Sequence, residues 1–248
     1  MGFGDDIVLQ DVSFDVFKGE IFLIVGGSGC GKSTLLKNMI GLYRPSAGRV
    51  VVEGIDINTD SEKSLRRVRQ RIGVLFQSGA LIGSMSLAEN VALPLREQRR
   101  LSPALIDMIV KMKLGIVNLA GYENHLPAAL SGGMKKRAGL ARAMVMDPTI
   151  LFFDEPSSGL DPVTAAELDN TIKGINEGMG TTMVIVSHDL ASIMSIAHRV
   201  IMLDKNHRGI IAEGIPAELK ENSDDPRVIH FFNRSLDEAI TQGAAHGS

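Results

Sequence analysis

The chain has 248 residues, 44% of them apolar and 22% charged, with 26 basic against 29 acidic side chains for a net charge of −3. These proportions exclude a disordered or fibrous chain, and at this length a core needs no disulfide or metal to sustain it. A near balance of charge without a long basic run argues against a nucleic-acid backbone as partner. The single cysteine, Cys30, cannot close an internal disulfide, which fits a reducing compartment and makes the cytoplasm the simplest address. No apolar run approaches the ~20 residues of a membrane span, and Met1 to Gly19 lacks the basic start and apolar stretch of a leader peptide.

Leu9 to Val16 alternates apolar and polar residues, as does Arg49 to Glu53, and both read as strands of a half-exposed antiparallel layer at one edge. Between them, Ile21-Phe-Leu-Ile-Val25 is an uninterrupted buried strand that feeds a helical pattern over Leu35 to Ile40. From Ser86 to Met146 the pattern is helical only. It opens on a capping box, Ser86-Leu-Ala-Glu89, and resumes at Ser102-Pro103 as N-cap and first helical position. Ile150 to Asp154 and Thr182 to Val186 are again apolar on both faces, as strands of a parallel sheet covered by helices are. Asp161-Pro162 caps a helix whose apolar face is Leu168, Ile172 and Ile175, and Val200 to Leu203 is a further strand. Pro226 to Ile240 is helix-like, with Val228, Phe232 and Leu236 on one stripe, and the small-residue end Gly243 to Ser248 reads as disordered. The fold class is α/β.

Gly26-Gly27-Ser28-Gly29-Cys30-Gly31-Lys32-Ser33 fits G-x-x-x-x-G-K-[ST] and lies where that loop's mechanism requires, after a strand and before a helix. Its glycines let consecutive backbone N–H groups turn onto phosphates, and the helix N-terminus adds its positive dipole end. Lys32 reaches the β- and γ-phosphates, and Ser33 can ligate magnesium. ATP or GTP is implied. The strand ending Phe152-Phe153-Asp154-Glu155 supplies Asp154 to the magnesium shell and Glu155 as base or orienting group for an attacking water. His188 follows the strand ending at Val186, at the sheet edge where ligands sit, and can touch a γ-phosphate there.

Leu130-Ser131-Gly132-Gly133-Met134 adds a second helix N-terminus with glycines behind a good cap. With the P-loop, Gln77, Asp154-Glu155, Ser158-Gly-Leu-Asp161 and His188 in this order, the chain resembles an ABC-type ATPase over about residues 3 to 222. Ser131 lies 23 residues before Asp154, and His188 lies 34 after it. The resemblance implies a P-loop NTPase with a RecA-like parallel-sheet core, an antiparallel β edge subdomain and a helical insertion over about residues 80–146. These make one nucleotide-binding domain, 1–222, followed by a C-terminal extension, 223–248, with a docking helix.

The resemblance also implies ATP and Mg²⁺ as ligands and a head-to-tail homodimer. In that dimer one subunit's P-loop, with Thr34 behind Ser33, faces the other's Ser131, Gly132 and Gly133. Gln77 links magnesium and water to the helical insertion, Asp161 acts across the dimer, His188 holds the γ-phosphate, and Phe3 matches the aromatic that stacks on adenine.

Val74-Leu-Phe-Gln77-Ser-Gly-Ala-Leu81, Asn90-Val-Ala-Leu-Pro-Leu-Arg-Glu97 and Asp225-Pro-Arg-Val228 with Phe231 are similar to the Mla/Mce lipid-transport ATPases. That similarity implies an ATP hydrolase on the cytoplasmic face of the inner membrane, driving phospholipid between inner and outer membranes. Its implied partners are a second copy, a permease, an MCE-domain lipid-binding protein and a small STAS-domain subunit, with no nucleic acid. The permease's coupling helix would sit on the segment after Gln77. Two alternatives share the motifs: a soluble ABC ATPase of iron–sulfur assembly, and the motor of a small-solute importer.

Overall fold

The computed structural model describes residues 2–3, 6–58, 61–98 and 101–233. In chain order the strands are β1 (Gly2–Phe3), β2 (Asp6–Ile7), β3 (Ile21–Gly26), β4 (Val51–Val52), β5 (Ile55–Asp56), β6 (Ile72–Leu75), β7 (Ile150–Asp154), β8 (Thr182–Val186), β9 (Arg199–Asp204) and β10 (Gly209–Gly214). The helices are α1 (Lys32–Met39), α2 (Glu62–Arg69), α3 (Leu87–Gln98), α4 (Pro103–Ile116), α5 (Gly132–Ala143), α6 (Pro162–Met179), α7 (Leu190–Ile196), α8 (Pro216–Asn222) and α9 (226–233).

Six strands form the main sheet in the order β10-β9-β3-β8-β7-β6. All neighbours run parallel except β10, which returns antiparallel beside β9. The apolar runs are uninterrupted because each strand is buried on both faces. Ile21, Leu23 and Val25 of β3 join one core with Leu151 and Phe153 of β7 and Met183 and Ile185 of β8. Phe22 and Ile24, with Phe152, Val184 and Val186, pack on the other face against Leu35 and Leu36 of α1. A period of two along each strand thus splits every run between two helix-covered layers.

The helical stretch forms as its caps dictate. Ser86 N–H donates to Glu89 Oε2 at 2.7 Å and Glu89 N–H donates to Ser86 Oγ at 3.2 Å, closing the capping box. Ser102 caps α4 with Pro103 at its start, and Asp161 caps α6 through the amides of Val163 and Thr164. Helix α5 reaches the sheet closely because two glycines allow it. A Cβ on Gly73 of β6 would fall 2.1 Å from the Ala143 carbonyl oxygen, and one on Gly139 would fall 2.9 Å from that of Gly79.

Two edge expectations need correction. Leu9 to Val16 is not a strand. Its alternation does report facing, since Val12, Phe14 and Val16 turn toward the core beside β3, with Phe14 stacked on Phe22 at 5.3 Å. Among the described residues the segment nonetheless joins no sheet. It is tied instead by Gln10 N–H to the Arg208 carbonyl and by Arg199 to the Asp15 carbonyl. Of Arg49 to Glu53 only Val51–Val52 is extended, in a two-residue antiparallel pairing with Ile55–Asp56. The antiparallel part of the molecule is therefore β10 together with two short hairpins.

At the other end, Val228, Phe231 and Phe232 of α9 are buried in the chain's own core. Leu236, the third member of the sequence stripe, lies outside the described residues, as does the end Gly243 to Ser248. Among the described residues no helix is long and apolar enough to cross a membrane.

Asp169 of α6 is buried against α7, and burial pushes its carboxyl up to about 6, with the charge of Asp189 adding to the rise. A raised folded-state value means the folded chain holds the proton more tightly than the unfolded one. Stability therefore falls as pH climbs from the ordinary carboxylate range through about 6, and the loss is complete above it. Asp169→Asn should melt roughly 2–4 °C above the parent at pH 8, about 1 kcal/mol for a domain of this size. The two should melt together at about pH 2.5, well below the ordinary carboxylate value, where both states keep the proton; scanning calorimetry at the two pH values checks this.

Candidate functional site

The P-loop runs from the end of β3 into α1. Gly26, Gly29 and Gly31 take φ of 142°, 75° and 100°. Gly26 also needs its missing side chain for space, since a Cβ there would sit 2.3 Å from the Leu203 carbonyl oxygen on β9. Gly27, Ser28 and Gly29 form the exposed outer arc of the loop. Helix α1 starts after Gly31 with no side-chain cap; the Lys32 amide bonds back to the Cys30 sulfur, and those of Ser33 and Thr34 are left to an external acceptor. Phosphate oxygens are the natural ones.

The Lys32 ammonium is buried and donates to the carbonyls of Gly26 at 2.8 Å and Gly27 at 3.0 Å. Two of its three donors thus hold the loop's arch, and the third is left for a phosphate oxygen. Cys30 faces inward, and burial raises its thiol above the ordinary range. It fills space behind the loop, in the manner of a small hydrophobe.

Asp154 closes β7 and accepts from Ser33 Oγ at 2.9 Å. A hydroxyl and a carboxylate brought together from two elements are hard oxygen donors suited to magnesium, which typically takes one or two protein carboxylates and draws other ligands from substrate phosphates and water. The residues present therefore fit Mg²⁺ bound with a nucleotide, with Ser33 and Asp154 holding it. Gln77, past the end of β6, donates from Nε2 to Ser158 Oγ at 3.1 Å, which ties the segment after β6 to the loop after β7.

Glu155 takes φ of 51°, a left-handed conformation that is strained for a residue with a side chain. Its N–H donates to the Val186 carbonyl at 2.9 Å, and its carboxylate lies 2.8 Å from His188 Nδ1. The strain turns the side chain off the strand end and toward the residue that follows β8. His188 Nδ1 is taken by this contact, which leaves Nε2 for a phosphate.

Ser131 caps α5, accepting from the Met134 amide at 3.2 Å. Gly132 is exposed and Gly133 is buried, where a Cβ would meet Thr164 Cγ2 at 2.3 Å. Among the described residues no hydrogen bond joins these three to the P-loop of the same chain. Asp161 spends its carboxylate on the α6 cap and on the Thr164 hydroxyl, and those bonds hold it below the usual carboxylate range. Phe3 lies in β1, and its side chain is outside the described residues.

The structure thus joins Ser33 to Asp154 and Glu155 to His188, with Lys32 beside Ser33 in the P-loop and Gln77 on Ser158, and among the described residues Ser131, Gly132, Gly133 and Asp161 make no hydrogen bond to these residues. Sequence reasoning missed Lys136, a buried ammonium of α5 whose Nζ donates to the Glu155 carbonyl at 3.3 Å. The only sequence signal for it is a basic residue one turn behind Gly132-Gly133.

Residues 9–158 match the ABC transporter family. The chain belongs to that family. It is 44% identical to the probable ribonucleotide transport ATP-binding protein Mkl of Mycobacterium leprae over 93% of this chain, but it spans only 66% of that protein's length. It is 42% identical to the intermembrane phospholipid transport system ATP-binding protein MlaF of Haemophilus influenzae over 94% of this chain and 88% of that one. Among solved structures it resembles an ATP-binding cassette in a dimeric post-hydrolysis state bound to ADP and Pi, with a TM-score of 0.77 and 32% identity over 87% of this chain and 94% of that one. The α/β fold with a P-loop, a mostly parallel core and antiparallel strands is the one these cassettes share.

Lys32→Ala removes a buried charge-assisted donor to phosphate, so ATP affinity should fall on the order of tenfold or more. Titration calorimetry with Mg-ATP checks it, and unchanged affinity would count against the cradle described above.

Proposed function

We propose that this ABC family member is the ATP-hydrolysing subunit of a transporter that moves phospholipid between two membranes. The convergence of Lys32, Ser33, Asp154, Glu155 and His188 at one sheet edge carries the hydrolysis reading. Lys32 and the open amides of α1 bind the β- and γ-phosphates, and Ser33 and Asp154 hold the magnesium. The ion supplies neutralisation of charge on the phosphates. Glu155 orients the attacking water and accepts its proton as the oxygen joins the γ-phosphorus and the bond to the ADP oxygen breaks. His188, held by Glu155, presents Nε2 to the γ-phosphate.

Two copies complete the site. The α5 N-terminus, with Ser131, Gly132 and Gly133, stands free of its own P-loop and offers amides to the phosphate bound by a second copy. Binding at such a junction favours the closed dimer, and hydrolysis releases it. Asp161 lies at that same junction, where its cap on α6 fixes the loop that begins at Ser158. We assign Phe3 to the adenine.

Phospholipid as the cargo is supported by the similarity to MlaF, which extends over nearly the full length of both chains. The name of Mkl favours a second reading, ribonucleotide transport, but this chain matches only part of that protein. A membrane permease is the required partner, seated on the segment after Gln77, with an MCE-domain protein and a STAS-domain subunit alongside. The chain then works at the cytoplasmic face of the inner membrane as one nucleotide-binding domain, 1–222, with an extension, 223–248. Val228, Phe231 and Phe232 anchor that extension to its own domain, so docking falls to the residues beyond 233.

Glu155→Gln should reduce ATP turnover by roughly 100-fold or more while keeping ATP binding, and it should elute as a closed dimer with Mg-ATP in size-exclusion chromatography. Turnover equal to the parent would remove Glu155 from its role. Purification in mild detergent should recover a multi-spanning permease, an MCE-domain protein and phospholipid. Recovery from the soluble fraction with iron–sulfur scaffold proteins, or with nucleotides as the transported material, would overturn the lipid reading and leave the ATP site standing.

A further inference from the structure

Lys136 lies on α5 one turn behind Gly132 and Gly133, and it is 6% exposed. Among the described residues its ammonium makes one hydrogen bond, to the carbonyl oxygen of Glu155, and no ion pair within direct contact. Burial disfavours its charge, and the charges of Glu155 and then Asp154 act in the opposite direction. A buried cation with one hydrogen bond is a poor structural choice, because an apolar side chain of similar length would fill the same volume without the desolvation cost. Something other than packing must explain its place.

The residue it touches is the one whose backbone is strained. Glu155 sits at φ 51° between two anchors, its N–H on the Val186 carbonyl and its carboxylate on His188. Its carbonyl accepts from the Ser158 N–H at 3.2 Å, and the Lys136 ammonium donates to the same oxygen from α5. The same ammonium lies near the carboxylates of Glu155 and Asp154.

From this juxtaposition we infer that Lys136 is a positioning residue for hydrolysis: with the Ser158 N–H it pins the Glu155 carbonyl, and so the left-handed turn that aims the Glu155 side chain. The inference rests on the hydrolysis reading above. Because Lys136 is on the helix whose N-terminus serves the second copy's phosphate, it also ties the placement of Glu155 in one site to the α5 end that completes the other.

The test is steady-state ATP turnover by the full chain, parent beside Lys136→Met, Lys136→Arg and Glu155→Gln, with melting temperatures for each. Outer-shell partners of this kind are worth roughly 10–100-fold in activity. The Met variant should lose turnover in that range as kcat, with KM for ATP unchanged and a melting temperature no lower than the parent's. The Arg variant, which keeps charge and donor, should recover most of the loss. A Met variant with parental kcat, a loss shared equally by Met and Arg, or a loss confined to KM would each overturn the inference. If the Met variant does not fold, Lys136→Gln decides: a folded Gln variant at parental kcat overturns the inference, and one with reduced kcat and unchanged KM supports it. A parent that hydrolyses no ATP, with Glu155→Gln no different, would instead remove the hydrolysis reading and this inference with it.

Discussion

The common C-terminal edge of three adjacent parallel strands, β3, β8 and β7, governs where every charged group of the site can stand. Register places Ile24 of β3 and Asp154 of β7 on either side of Val186 of β8. The P-loop, the acidic pair and His188 therefore leave the sheet at neighbouring points and at the same level. The bond from Ser33 to Asp154 spans the middle strand, and the Glu155 amide returns to its last residue. A shift of one residue between β7 and β8 would turn Asp154 to the opposite face, and neither contact could form. The buried alternation of apolar side chains that fixes this register is thus a condition of the chemistry as well as of the fold.

A second consequence concerns α5. Its contacts with the sheet are close because Gly73 and Gly139 leave room for backbone against backbone. Further along, Arg142 donates to the Gly79 carbonyl at 3.0 Å and toward Asn90 at 3.5 Å, and Asn90 in turn gathers Ile82, Met85 and Ser86. One helix consequently touches the acidic pair through Lys136 and the segment after Gln77 through Arg142. Burial lowers the pKa of the Arg142 guanidinium, but its two acceptors hold it in place. The acidic pair and the segment after Gln77 are thus both held by side chains of one helix.

Much of this arrangement is legible in the order of the residues. The P-loop, the acidic strand end and His188 follow from motif and strand position, because phosphate chemistry restricts which residues can stand there and because apolar runs mark the buried strands. The caps at Ser86, Ser102 and Asp161 are equally plain, since a cap is a local interaction between residues close in sequence. Leu9 to Val16 misleads for a physical reason: alternation records which side chains face a core, and a strand needs in addition a neighbour with which to exchange hydrogen bonds. Strands β6 and β10 and helix α2 carry weaker signals. The first is only four residues long, the second is bounded by glycines and shifts register against β9, and the third is charged enough to resemble a loop.

By itself, then, the sequence determined the α/β class and the cassette family and marked the P-loop, the acidic pair and His188 as candidates for phosphate, since these depend on local pattern and on the chemistry of each side chain. Tertiary structure alone decided which of the basic residues Lys135, Lys136 and Arg137 is buried, because a basic run on a helix reads as a solvated face until packing selects one member. It also decided that Glu155 is strained and held by His188, and that Asp169 is forced toward its neutral form. Backbone strain, the burial of a charged side chain and contacts between residues distant in sequence are properties of the packed chain, which the order of its residues does not show.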